Sequence, residues 1–181
     1  MRPRTYKVEG IVIKRKNFGE ADKLLTLFTK QHGKINCLAK GIRKLTSRKA
    51  SSLELFNLAA VFLAKGKSLD IITETQLINS FREFRKVFDK VCLAYHFCEL
   101  TDRLTAYNQA HRQIFDLLKE SLESLVDDKV DTEGLKIQFK EKLLQNTGFG
   151  LPQIRNNKNL DRYIESIIEK KIKTNHLLES L

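Results

Sequence analysis

This chain has few of the residues and motifs on which catalysis, metal binding or covalent stapling depend. Its 181 residues include three cysteines, Cys37, Cys92 and Cys98, an odd number without CxxC spacing. That pattern excludes a disulfide framework and a cysteine zinc cage, and leaves reduced, buried thiols as the reading. The longest apolar run, 58–64, is far shorter than the roughly 20 residues of a membrane-spanning helix. No apolar segment follows the basic start Met1-Arg2-Pro3-Arg4, so no signal peptide is expected. The four histidines, His32, His96, His111 and His176, are scattered, with no HxH or HExxH among them. His96 falls in an apolar helical pattern, where a hydrogen-bonded core histidine is the expectation. Neither a Walker A loop nor GxGxxG occurs, which removes the usual nucleotide cradles. Glu20 and Asp22 are close in sequence, but no matching acid cluster completes a two-metal site. The expectation is a non-enzyme without metal or cofactor.

Acidic residues are nearly missing from one part of the chain. The net charge is +11, with 41% apolar and 30% charged residues, the composition of a soluble globular protein. Residues 1–50 hold 14 Lys+Arg against 3 Asp+Glu, and residues 51–181 hold 19 of each, so the whole excess lies in the first 50. Segregation of this kind sets a positive field over one end of a molecule. Nucleic acid is the leading partner and an anionic membrane surface the second.

The densest basic stretch, 38–49, contains Lys40, Arg43, Lys44, Arg48 and Lys49 and no acid. Five charges cannot leave water without partners, so a flexible surface loop is expected. Arg2 and Arg4 precede the first strand candidate, and Lys14, Arg15 and Lys16 end it. These ten cations are the candidate nucleic-acid-binding residues, expected to converge at one end of a small barrel. Each phosphate neutralised would release counterions, giving strong, salt-sensitive binding that reads no sequence. Phe18 is the one aromatic of this region that could stack on a base, with packing under its turn as the ordinary alternative. Few aromatics look exposed, which favours backbone contact over base readout.

Taken in order, 5–14 reads as a strand with Tyr6, Val8, Ile11 and Ile13 apolar and a bulge or sharp bend at Gly10. A turn at 15–20, a strand at 23–29, a polar turn at 31–34 and a strand at 35–39 follow. After the basic loop, 53–64 suits a long strand or a helix, and 69–78 a fifth strand. Five short strands fit a closed OB-type barrel, with an SH3-like barrel nearly as compatible with this periodicity. From Phe81 the apolar period becomes helical. Phe84, Val87, Phe88, Val91, Tyr95 and Cys98 form one stripe and Leu93, Phe97, Leu100 and Leu104 another, the mark of a central helix. A second helix carries Ile114, Leu117, Leu118, Leu122 and Leu125. A third, capped by Asp131 or Thr132, carries Leu135, Phe139 and Leu143, and Gly148 to Pro152 end it. After a polar linker, Asn159 is the expected cap of a last helix. The fold class is thus α+β in two parts, a barrel over 1–80 and an α-helical domain over 81–181.

The chain resembles the RecO family of bacterial recombination mediators. The likeness begins at Gly10-Ile11-Val12-Ile13-Lys14-Arg15 and runs through Phe18-Gly19-Glu20-Ala21-Asp22 to Gly33-Lys34 and Ala39-Lys40-Gly41-Ile42-Arg43-Lys44. It resumes at Leu93-Ala94-Tyr95, Glu99-Leu100-Thr101-Asp102, Leu143-Leu144, Gly148-Phe149, Pro152 and Lys173-Thr174. The resemblance implies an OB-fold domain followed by helices. It also implies binding of single- and double-stranded DNA, strand annealing, and RecA loading with RecR and the C-terminal tail of single-stranded-DNA-binding protein. A cytoplasmic, nucleoid-associated location follows from the same likeness. Lys14, Arg15, Lys40, Arg43 and Lys44 are the cations that match by position. Many family members carry a four-cysteine zinc module where this chain has only 153–159, none of them cysteine, so a short form without that metal is expected. The alternative is an OB-fold scaffold that binds RNA or acidic protein tails without annealing.

Overall fold

The computed structural model describes residues 4–179. Strands β1 (Thr5–Phe18), β2 (Asp22–Thr29), β3 (Gly33–Ala39), β4 (Leu58–Ala64) and β5 (Asp70–Asn79) close into a barrel in the order β1-β2-β3-β5-β4. Ile11 of β1 partners Phe28 of β2 on one side and Leu58 of β4 on the other, and Cys37 and Leu38 of β3 pair in parallel with Asp70 and Ile71 of β5. That connectivity is the OB fold, which settles the choice left open by periodicity.

Alternation along the strands fills the barrel. Val8 and Val12, Leu25 and Leu27, Ile35, Cys37 and Ala39, and Ala59, Val61 and Leu63 keep to one face of their strands and share one buried cluster with Ile72. Each buried Val, Leu or Ile side chain among them contributes about 1.5–3 kcal/mol by leaving water. The Cys37 thiol sits in this core, and burial pushes its pKa up to about 12.

Three local expectations change. Strand β1 runs to Phe18, pairing Lys14 to Phe18 with Asp22 to Thr26, so the turn shrinks to Gly19–Ala21. A ribbon with solvent on its outer face needs no apolar residues there, and Arg15-Lys16-Asn17 looked like a turn for that reason. The register shift falls between Val12 and Lys14 rather than at Gly10. At Gly10 a Cβ would come within 3.1 Å of Thr29 Cγ2, so the glycine serves close strand contact. The segment 53–64 divides into a 3₁₀ turn, Ser51–Leu53, and β4, with Phe56 between them at φ 72°.

The chain folds as two compact units, one of 1–80 with 106–115 and one of 81–105 with 116–181. The first recovers a distant segment: Asn108 N donates to Lys34 O at 2.9 Å.

The helices are α1 (Phe88–Leu104), α2 (Arg112–Ser124), α3 (Thr132–Thr147), α4 (Asn157–Ile168) and the short α5 (Asn175–Glu179). In the second unit Leu93, Phe97, Leu100 and Leu104 of α1 are buried, and Phe97 stacks on Phe139 of α3 with centroids 4.2 Å apart. Val87, Phe88 and Tyr95 of the other stripe are exposed, and Phe84 is buried on a separate 3₁₀ turn, Glu83–Lys86. A helical period groups apolar residues but does not say which group finds a neighbour. Asp131 is the cap of α3, accepting from Gly134 N at 3.0 Å, and Gly148 ends that helix at φ 82°. The cap of α4 is Asn156 rather than Asn159; its side chain accepts from the Asn159 N–H at 2.9 Å. Lys140 is fully buried between α3 and α4, ion-paired with Asp161 and donating to Asn157 Oδ1. Its pKa falls to about 8, because desolvation outweighs the attraction of Asp161. His96 is fully buried with Nδ1 2.8 Å from Thr174 Oγ1. Burial, with Lys140 and Lys136 nearby, holds it well below the usual histidine range.

Candidate nucleic-acid interface

The basic loop begins where β3 ends, and the pairing of Lys23 with Ala39 brings it beside the β1–β2 turn. Asp22 Oδ1 accepts from Gly41 N at 2.7 Å, and Ala21 O accepts from Arg43 N at 2.9 Å. Within the loop, Lys44 N donates to Gly41 O at 3.1 Å and Ser47 N to Lys44 O at 2.9 Å. Ile42, set among the cations, is buried in the barrel core. The expected flexible loop is therefore a chain of turns pinned at both its backbone and one apolar side chain. Asp22, considered from the sequence as a weak metal ligand, acts here as an anchor for the loop.

The ten candidate cations divide by what they touch. Lys14, Lys16, Lys40, Arg43, Lys44 and Arg48 are exposed at this end of the barrel. Arg43 also reaches Gly19 O through Nη1 at 3.4 Å, which ties it to the β1–β2 turn. Arg15 is drawn into an ion pair, its Nη1 2.5 Å from Glu54 Oε2. Lys49 donates from Nζ to Ile72 O at 3.1 Å, so its ammonium holds the loop to β5. Arg4 does not converge with these groups. It precedes β1, where its carbonyl accepts from Lys65 N at 2.9 Å. Ten residues of strand, on the order of 30 Å, separate it from Lys14. Arg2 lies outside the described residues. Phe18 is half exposed at the tip of β1, so it is not packed beneath the turn.

A model of the recombination protein O N-terminal region matches residues 1–81, and one of its C-terminal region matches residues 85–156. The chain belongs to the RecO family. It is 35% identical to the DNA repair protein RecO of Symbiobacterium thermophilum over 144 residues, which are 80% of this chain and 57% of that protein. The RecO protein of Clostridium kluyveri is 37% identical over 146 residues, 81% of this chain and 57% of that one. That of Dehalococcoides mccartyi strain BAV1 is 33% identical over 167 residues, 92% and 65% respectively. The chain thus spans less than two thirds of the length of these RecO relatives.

In this RecO-family chain, no group of three or more His, Cys, Asp or Glu among the described residues is arranged to hold a metal ion. Among the same residues no helix is long and apolar enough to cross a membrane. Charge counting overlooked the far end of the barrel, where Tyr6, His32, Lys65 and Tyr107 line a common cleft. No local signal could have found it, because Tyr107 comes from a segment some seventy residues beyond β3.

Proposed function

We propose that this chain is a non-enzymatic DNA-binding and strand-annealing protein of RecO type. The supporting observation is the row of exposed cations, Lys14, Lys16, Lys40, Arg43, Lys44 and Arg48, at one end of an OB barrel, with the loop that carries four of them pinned through its backbone. Placed against a phosphate backbone, these groups lower the repulsion between two strands and let complementary bases meet. Annealing forms no covalent bond, and base pairing supplies its driving force, so the protein needs position and charge alone.

In this reading single- and double-stranded DNA both bind the basic end, because phosphates are common to both. The helical unit engages the acidic C-terminal tail of single-stranded-DNA-binding protein and, with RecR, the chain helps load RecA in the cytoplasm at the nucleoid. The test is fluorescence annealing of complementary oligonucleotides at low and high salt, with and without single-stranded-DNA-binding protein. Acceleration that fades with salt and survives on coated strands supports the proposal. DNA binding without acceleration reduces the protein to a scaffold, and preference for RNA over DNA of the same sequence transfers the site to a different substrate.

A further inference from the structure

The far end of the barrel carries a cleft of about 570 Å³ whose lining includes Tyr6, His32, Asn36, Lys65, Tyr107 and Asn108. Two glycines shape it. At Gly33, φ is +64° and a Cβ would lie 1.7 Å from Gln109 O, so only glycine lets that distant segment rest on the β2–β3 turn. At Gly66 a Cβ would lie 1.9 Å from Leu69 O, which makes glycine the residue of the tight β4–β5 loop.

The segment laid over Gly33 delivers an aromatic ring. Tyr107 forms a parallel bridge with Lys34, whose Nζ lies 4.3 Å from its ring centroid. Tyr107 is nonetheless 47% exposed. The facing wall is fixed by groups that satisfy one another. The Tyr6 hydroxyl donates to Asp70 Oδ2, Gly66 N donates to Oδ1 of the same carboxylate at 3.2 Å, and Lys65 Nζ stands 3.7 Å from it. Lys65 also lies 4.8 Å from the Tyr6 centroid, and Tyr6 meets His32 edge-on at 5.4 Å. Asp70 thus accepts from a hydroxyl and an amide within the wall, and the Lys65 side chain beside it is 62% exposed. The cleft offers an incoming group one half-exposed aromatic ring already held in place, the Asn108 amide, the NH2 of Asn36, whose Oδ1 accepts from Thr26 Oγ1 at 2.8 Å, and a lysine.

That combination suits an unstacked base with its phosphate. We infer that this cleft receives one nucleobase of a single strand, stacked on Tyr107, with Asn36 and Asn108 at the base edge and Lys65 at the neighbouring phosphate. The inference rests on the DNA-binding reading and adds a contact available only to single strands. A ring already held by backbone bridging and a cation loses little freedom on binding, so most of the stacking is kept as affinity.

The experiment uses the full chain and oligo(dT) carrying one 2-aminopurine, whose fluorescence falls on stacking, beside a duplex of equal length. The parent chain quenches the probe. Tyr107→Ala loses the quench and binds the single strand about fivefold or more weakly, the lower range of what base stacking contributes, while its duplex affinity holds. Tyr107→Phe behaves as the parent, and Tyr107→Leu, which keeps bulk without a π face, behaves as Tyr107→Ala. Unchanged single-strand affinity in Tyr107→Ala overturns the base site and leaves the basic end standing. Equal weakening on single strand and duplex overturns it too, since duplex bases are not free to stack. If the parent binds neither DNA, this inference and the DNA-binding reading both fall.

Discussion

Charge reversal at Arg43 and Lys44 measures the basic end most directly. Both side chains are exposed, and among the described residues the one side-chain bond of the pair is the 3.4 Å contact of Arg43 Nη1 with Gly19 O. Folding should barely notice their loss, because exposed charges contribute little to stability. Binding should notice it strongly. About six exposed cations, each releasing roughly 0.7 counterion from a single strand, give a log–log salt slope of about −4. Raising salt from 50 to 200 mM is then a loss of about 300-fold in affinity. Each contact raises affinity about eightfold at 50 mM relative to 1 M, so removing two weakens binding by about 60-fold and brings the slope to about −3. Reversal to Glu adds repulsion to this loss. The assay is fluorescence anisotropy of labelled oligo(dT) across a NaCl series, for the parent and the Arg43→Glu/Lys44→Glu variant, with a thermal melt of each. Arg15→Gln is the contrasting control. Its charge is already paired with Glu54, so the slope should stay close to that of the parent. A flat salt response, or a double variant of full affinity, would falsify the electrostatic reasoning.

Two further outcomes concern the helical unit. Lys140 has a pKa of about 8 when folded against 10.5 in the free side chain, so the unfolded chain holds that proton more tightly. Stability should therefore rise between about pH 8 and 10.5, by on the order of 3 kcal/mol if the full shift is realised. Urea unfolding at pH 7 and pH 10 checks this, and a rise of equal size in Lys140→Met would show that another group causes it. Phe139→Ala removes a ring stacked on Phe97 in a fully buried site and should cost about 3–5 kcal/mol by the same urea assay. A cost below about 1 kcal/mol would mean that the two rings do not pack as described.

Much of this molecule was legible because its signals are local. The period-two residues Val8, Leu25 and Leu27 announce strands and do fill the barrel. Gly148 announces a helix end and is one, at φ 82°. Elsewhere a local signal misled. Arg15-Lys16-Asn17 reads as a turn because it is polar, yet β2 pairs with it residue by residue. Asn156 and Asn159 are equally good caps in isolation, and only the path of the chain into α4 chooses the first.

The sequence by itself determined the composition of the two halves, the concentration of positive charge in the first 50 residues, and the alternation that builds a barrel. These depend on residue identity and spacing, which no fold can alter. Tertiary structure decided where each cation's charge is spent. Arg15 found Glu54 and Lys49 found the carbonyl of Ile72, partners 39 and 23 positions away, while the length of β1 carried Arg4 to the other end of the barrel. It also decided that Tyr107 lies over Lys34, through a glycine whose missing side chain leaves room for the crossing backbone. Such pairings depend on closing loops of many residues, and the entropy of that closure is recovered only when the whole barrel forms.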